Sequence, residues 1–176
     1  TLDNAGHELT SVTVTQGRNV TLIDTDTAAD GIALGASTIS GTLQVTTGNG
    51  ITQTGALSVT GSTTLAGGGT TVGTHDIDLS LGNSLSSVTV TNGGDVTLTD
   101  IDNLDVDDAT VGGEYSVTVG NGIDVTGNVS AGTLVFEATG GAGDIIDSTG
   151  DLSVTGLARF EAQTSDSVTL NAATND

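Results

Sequence analysis

The chain contains three altered copies of one stretch of about 20 residues. Residues 49–69 read NGITQTGALSVTGSTTLAGGG, residues 121–141 read NGIDVTGNVSAGTLVFEATGG, and residues 144–163 read DIIDSTGDLSVTGLARFEAQ. Each copy alternates apolar and polar residues, passes through a glycine turn, alternates again and ends at a second glycine turn. A unit this short cannot bury its own apolar side chains, so its copies must stack on one another. We therefore predict a solenoid in which each copy forms about one coil.

Longer blocks of sequence also repeat. Residues 12–22 match 88–98, residues 45–51 match 117–123, and residues 57–61 match 152–156. The offset grows by 23 residues between the last two matches (95 − 72), and the added stretch is itself a copy of the coil. We predict one solenoid over residues 1–176, with a first super-repeat at about 1–80 and a second at about 81–176 that holds one extra coil.

These repeats favour an all-β fold, a β-solenoid of eight or nine coils of about 20 residues. At about 4.8 Å per coil the rod would be roughly 40 Å long. No segment has helical i, i+3, i+4, i+7 spacing, and the chain has no Pro, a residue that would remove donors from interior strands. The alternative is a row of β-sandwich repeats, but there an insertion of this size would be a loop of unrelated sequence.

The strand pattern also predicts which side chains point inward. Apolar residues that alternate with Thr and Ser should form columns, and Thr and Ser should stack on the outer faces. The predicted inward set is Val12, Val14, Val20, Leu22, Leu43, Val45, Leu57, Val59, Leu65, Ile77, Leu79, Val88, Val90, Val96, Leu98, Leu104, Val106, Val117, Val119, Leu134, Phe136, Leu152, Val154, Phe160, Val168 and Leu170.

Composition restricts both the core and the partners. Aromatic residues make up 2% of the chain, so the core must be thin and aliphatic. The formal charge is −20, and the missing basic groups exclude binding to nucleic acid and repel anionic membranes. No apolar run approaches the ~18 residues of a membrane helix, which predicts no direct membrane insertion. The absence of Cys excludes disulfides and thiolate chemistry.

The stretches GNGITQTGALSVTGSTTLAGG, SVTVTNGGDVTLTD and THDIDLSLGNSLSSVTVT carry a family resemblance. They resemble the repeat region of filamentous-haemagglutinin-like exoproteins, bacterial adhesins exported by two-partner secretion or autotransporter routes, and the resemblance covers nearly the whole chain. It implies a right-handed parallel β-helix that forms the shaft of a surface fibre. The chain lacks the secretion domain, toxin module and Arg-Gly-Asp tripeptide of such proteins, so export route and receptor stay open.

Two acidic clusters are candidate calcium sites. One contains Asp24, Asp26 and Asp30, and the other contains Asp100, Asp102, Asp105, Asp107 and Asp108. Neither has the spacing of a helix-loop-helix calcium loop, and the glycine-rich segment Gly140–Asp144 places its Asp one position early for a calcium nonapeptide. We predict solvated turns here and no bound cofactor or metal, with structural calcium as the alternative.

The remaining polar residues do not indicate catalysis. His7 and His75 are the only histidines, and no Gly-x-Ser-x-Gly elbow is present. A polysaccharide lyase needs a cation beside its substrate, yet the chain has no Lys, and Arg18 and Arg159 belong to different coils. A glycosidase pair at Asp107 and Asp108 is the remaining alternative. We predict that the chain is not an enzyme.

Threonine pairs suggest one further binding surface. They occur at residues 13 and 15, 52 and 54, 89 and 91, and 97 and 99. An ice-binding solenoid needs such a pair in nearly every coil of one flat face, whereas these recur irregularly.

The sequence as a whole predicts a secreted or cell-surface structural segment. Its predicted partners are neighbouring repeats or identical subunits stacked end to end, with host-cell or glycan receptors as a further possibility.

Overall fold

The structure is a computed structural model that describes residues 2, 8–26, 31–68, 73–141 and 143–170. Its strands are parallel and stack into a right-handed β-helix of about eight coils, which confirms the predicted fold class. The strands are β1 Ser11–Val12, β2 Val20–Asp24, β3 Ile32–Leu34, β4 Ser37–Ile39, β5 Leu43–Thr47, β6 Ile51–Gln53, β7 Leu57–Ala66, β8 Ile77–Gly93, β9 Val96–Asp100, β10 Leu104–Val111, β11 Glu114–Val119, β12 Ile123–Val125, β13 Val129–Ala131, β14 Thr133–Ala138, β15 Ile145–Asp147, β16 Leu152–Val154, β17 Ala158–Glu161 and β18 Val168–Leu170.

A complete coil contains three strand segments, not the two predicted from the alternation. Stack 1 consists of β1, β3, β6, the start of β8, β9, β11, β14 and β17. Stack 2 consists of β4, the start of β7, the middle of β8, the start of β10, β12, β15 and β18. Stack 3 consists of β2, β5, the ends of β7, β8 and β10, β13 and β16. Stacks 2 and 3 form one curved sheet because β7, β8 and β10 run through the corner between them.

Buried side chains form columns along the axis. One column in stack 1 contains Ile32, Ile51, Ile77, Val96, Tyr115 and Leu134. One column in stack 3 contains Leu22, Val45, Leu65, Val90, Ala109, Val129 and Leu152. Nearly all members of these two columns are less than 5% exposed. Each column removes apolar area from water only because a coil lies above and below it.

The predicted inward set is confirmed along the middle of the rod. Its exceptions lie in the first and last coils, where Val12, Val14, Val20, Val154 and Phe160 are half-buried. Val168 and Leu170 are each 43% exposed although they stack on β15, because no further coil covers them among the described residues.

Matched sequence blocks do not lie in the same stacks. Val12 is in stack 1, whereas its match Val88 lies where stacks 2 and 3 meet and pairs with Thr63 and Val106. Leu152 shares a column with Leu65, whereas its match Leu57 pairs with Ser37 in stack 2. The super-repeat is therefore not a whole number of coils. The coil length itself varies, since residues in register lie 17 to 26 apart, as at Asn83–Asp100 and Ile51–Ile77. The predicted division of the domain near residue 80 stays a prediction.

Candidate functional site

Short polar side chains at the corners join several pairs of successive coils. An Asp or Asn side-chain oxygen accepts a hydrogen bond from a backbone N–H that lies 19 to 23 residues later. Seven such pairs occur in the described ranges: Asn19 with Thr42 (3.1 Å), Asp76 with Asp95 (2.9 Å), Asp95 with Glu114 (2.8 Å), Asn103 with Gly122 (2.9 Å), Asp108 with Asn128 (2.8 Å), Asn128 with Asp151 (3.2 Å) and Asp144 with Ser167 (2.7 Å).

These bonds explain why the turns are rich in Asp and Asn. At a corner the strand ladder is interrupted, so backbone N–H groups need other acceptors. Asp and Asn side chains are short enough to reach nearby backbone groups from a turn. Two of the candidate acids, Asp108 and Asp144, serve as such acceptors, so they are structural links between coils. Sequence reasoning missed this role, and the signal was the recurrence of Asp or Asn at coil spacing.

A buried carboxylate occurs at equivalent positions of the repeated blocks. Asp24 accepts hydrogen bonds from the N–H groups of Leu9 (2.6 Å) and Asp26 (3.2 Å). Asp100, which is 76 residues later, accepts them from Leu85 (2.7 Å) and Asp102 (2.8 Å), and these two donors are also 76 residues after Leu9 and Asp26. Both carboxylates are at most 2% exposed.

The prediction of solvated turns is therefore wrong for these two residues. Each carboxylate faces inward because two backbone donors satisfy it there. Burial raises the pKa of Asp100, the hydrogen bonds from Asp102 and Leu85 oppose the rise, and the Asp102 carboxylate adds to it. Asp30, of the first cluster, lies outside the described residues.

Next to Asp100, a polar network runs through three coils. Asn83 is fully buried, and in register it pairs with Asp100. Its amide N–H groups donate to the carbonyl groups of Leu79 (3.0 Å) and Thr99 (3.0 Å) and to Gln53 Oε1 (3.2 Å). Its Oδ1 accepts from the N–H of Leu57 (2.8 Å) and from Gln53 Nε2 (2.9 Å). One side chain thus satisfies groups from three successive coils.

The outer part of the second acidic cluster lies on stack 2 and at its corner. Asp105 and Asp124 are register neighbours, so their carboxylates face the same surface. Burial, and then the Asp124 and Asp107 carboxylates, raise the pKa of Asp105. Asp107 accepts a hydrogen bond from the Thr126 hydroxyl (2.8 Å), which ties it to the next coil.

No group of three or more His, Asp or Glu side chains in the described ranges converges in a way that could hold a metal ion.

In the segment Gly140–Asp144, both the N–H and the hydroxyl of Ser167 donate to Asp144 Oδ1, at 2.7 and 2.9 Å. These two bonds lower the pKa of Asp144. That carboxylate is therefore used to fasten the last described coil.

The other candidate residues are separated. His75 is half-buried before β8, and His7 lies outside the described residues. Arg159 on β17 pairs with Glu161 on the same strand, and Arg18 is exposed before β2, in the first coil.

The Thr pairs do not stack into one face. Thr97, for example, lies between Asp78 and Ser116 in stack 1. The pair at residues 89 and 91 belongs to stack 3.

Comparisons with known proteins identify one family. The family described as "Repeats of unknown function (DUF5649)" matches residues 17–92, 93–146 and 131–176. Searches of curated proteins and of solved structures each returned no match. The described part of the chain has no helix long and apolar enough to cross a bilayer. Because the three matches together span residues 17–176, the chain belongs to the DUF5649 family of repeats.

Proposed function

We propose that this chain is a structural segment of a secreted or cell-surface bacterial adhesin, in which the solenoid is a stiff spacer that holds a binding or toxin element away from the cell. The observation that carries the proposal is the unbroken stacking of coils on three sides. Backbone ladders join every stack-1 strand from β1 to β17, and side chains close the corners. The role is mechanical and involves no reaction.

The surface suits a spacer outside the cell. A net charge of −20 keeps neighbouring rods apart and hinders adsorption to anionic surfaces. The adhesin assignment itself rests on the sequence resemblance to filamentous-haemagglutinin-like repeats.

The spacer role is tested by changing the number of coils. Val96 and Tyr115 are register partners, so deletion of residues 96–114 removes one coil and leaves Asp95 in the place of Glu114. Spin labels at Gln44→Cys and Ser153→Cys, both on the outer face of stack 3, lie five coils apart, or about 24 Å. Their separation should fall by about 5 Å on deletion, with the fold retained. A matched deletion of residues 96–105 removes half a coil, displaces the inward columns and should unfold the chain.

Function is then measured on cells. A binding module displayed through the native chain should lose adhesion to surface-bound ligand progressively as coils are removed, whereas its affinity in solution stays constant. The spacer role would be refuted if adhesion did not change with the number of coils. It would also be refuted if the chain bound host cells without the module.

A second candidate is a subunit that assembles end to end, with neighbouring repeats or identical chains as its partners. Two observations favour it. The inward residues Val168 and Leu170 are partly exposed on the last described coil. Leu2, Val12 and Val20 help line a depression of about 350 Å³ at the first coil.

Assembly by this route would give rods whose length increases with protein concentration in electron micrographs. Added salt should promote it by screening the repulsion between acidic chains. A sedimentation coefficient that is constant over concentration and salt would exclude it.

A further inference from the structure

Two tripeptides of the chain have the form Asn-x-Ser/Thr, and both occupy the same corner of the solenoid. Asn19-Val20-Thr21 leads into β2 and Asn128-Val129-Ser130 leads into β13, and both strands belong to stack 3. This tripeptide, with any residue but Pro in the middle, is the acceptor motif for N-linked glycosylation. Both asparagines are exposed.

The two side chains are held in the same way. Asn19 Oδ1 accepts from the N–H of Thr42 and Asn128 Oδ1 accepts from the N–H of Asp151, in each case 23 residues later. Each donor residue follows a glycine, Gly41 or Gly150, that packs closely over the lower coil. A Cβ at Gly41 would overlap Asn19 Oδ1.

In each asparagine the other amide atom, Nδ2, takes no part in this bond. Neither Nδ2 donates a hydrogen bond to any described residue. A sugar on Nδ2 would leave Oδ1 free to accept its bond from the coil above, so glycosylation and the folded corner are compatible.

We propose that Asn19 and Asn128 are acceptor sites for N-linked glycosylation, with a sugar activated as a glycosyl phosphate or diphosphate as the donor. In the transfer, a bond forms between Nδ2 and the anomeric carbon of the sugar, and the bond between that carbon and the phosphate oxygen breaks. The phosphate or diphosphate leaves with the electron pair, and the amide nitrogen gives one proton to the transferase. The glycosylation proposal does not depend on the spacer role. If the protein acts as a spacer but carries no glycans, only the glycosylation proposal is refuted.

Asn103 is a matched control within the chain. It is exposed, precedes a stack-2 segment, and accepts the same kind of bond from Gly122 N–H at 2.9 Å. The residue two positions later is Asp105, which has no hydroxyl, so the motif is incomplete.

The test is peptide mass spectrometry of the protein purified from the cells that produce it, before and after an amidase that converts glycosylated Asn to Asp in heavy-oxygen water. We expect glycans at residues 19 and 128 and none at Asn103. Thr21→Val and Ser130→Ala should each remove one glycan while the asparagine and the fold, monitored by circular dichroism, stay intact. Asp105→Thr should add a glycan at Asn103.

Unmodified Asn19 and Asn128 in the native protein would overturn the proposal. So would glycans that persist in Thr21→Val and Ser130→Ala, or sugars found on Ser and Thr hydroxyls alone.

Discussion

Replacing Asn83 with Ala should destabilise the protein far more than the loss of an average hydrogen bond. The side chain is fully buried and makes five hydrogen bonds that reach three coils. Removal leaves the N–H of Leu57 without its acceptor and takes a donor from the carbonyl groups of Leu79 and Thr99. The half-buried Gln53 amide keeps the Gly55 carbonyl as an acceptor. Neighbouring apolar side chains cannot make these hydrogen bonds in place of Asn83.

The magnitude follows from the groups left behind. The buried N–H of Leu57, once it loses its acceptor, costs about 1–3 kcal/mol, and each lost bond to the Leu79 and Thr99 carbonyl groups costs about 1 kcal/mol. The sum is on the order of 4 kcal/mol in the free energy of unfolding. Asn103→Ala is the matched control because it removes the same side chain from an exposed corner with one hydrogen bond. That change should cost about 1 kcal/mol or less.

Urea titration followed by circular dichroism measures both variants. The comparison requires equal m-values, because a changed m-value would indicate that the solenoid no longer unfolds as one unit. A cost for Asn83→Ala within about 1 kcal/mol of the cost for Asn103→Ala would refute the argument, since the network would then contribute no more than a single exposed bond.

Three further outcomes are expected. Thr63 stacks between Leu43 and Val88, and its buried hydroxyl has no hydrogen-bond partner among the described residues. Thr63→Val should therefore raise the free energy of unfolding by about 1 kcal/mol, measured by urea titration. A lower free energy of unfolding would contradict this. Tyr115→Phe should be neutral or stabilising for the same reason, and a thermal melt that falls by several degrees would refute it. The folded pKa of Asp105 lies above its ordinary 3.8, so its folded carboxyl takes up a proton more readily and stability should rise as pH falls from about 7 toward 4. Asp105→Asn should flatten that rise, and an unchanged pH profile would contradict the assignment.

Much of the fold could be predicted because repetition and alternation are both visible in one dimension. The inward residues Leu22, Val45 and Leu65 alternate with polar residues, and their burial follows from the strand period alone. The number of strands per coil was not visible, because the corner inside β8 between stacks 2 and 3, at Ser86 and Ser87, has no glycine to mark it.

The buried polar residues were missed for a different reason. Asn83 lies within β8 and Asp100 ends β9, and both are in stretches of polar sequence, where solvent exposure is the ordinary expectation. Their burial depends on backbone N–H groups that come from other coils, such as Leu57 and Leu85. Such a partner is set by the register between coils, and register is not encoded by the local residues around an Asn or Asp.

The mismatch between the sequence repeat and the coil indicates what is being repeated. Leu9, Asp24 and Asp26 keep the same hydrogen bonds as Leu85, Asp100 and Asp102, although Asp24 ends a stack-3 strand and Asp100 a stack-1 strand. The repeated unit is therefore one strand with its corner, and this unit can form any side of the solenoid. A unit that must fit all three sides cannot depend on a large side chain that suits only one. This explains why the columns are aliphatic almost throughout. It also explains why the three aromatic rings, Tyr115, Phe136 and Phe160, which meet edge to face, are confined to stack 1 of three successive coils.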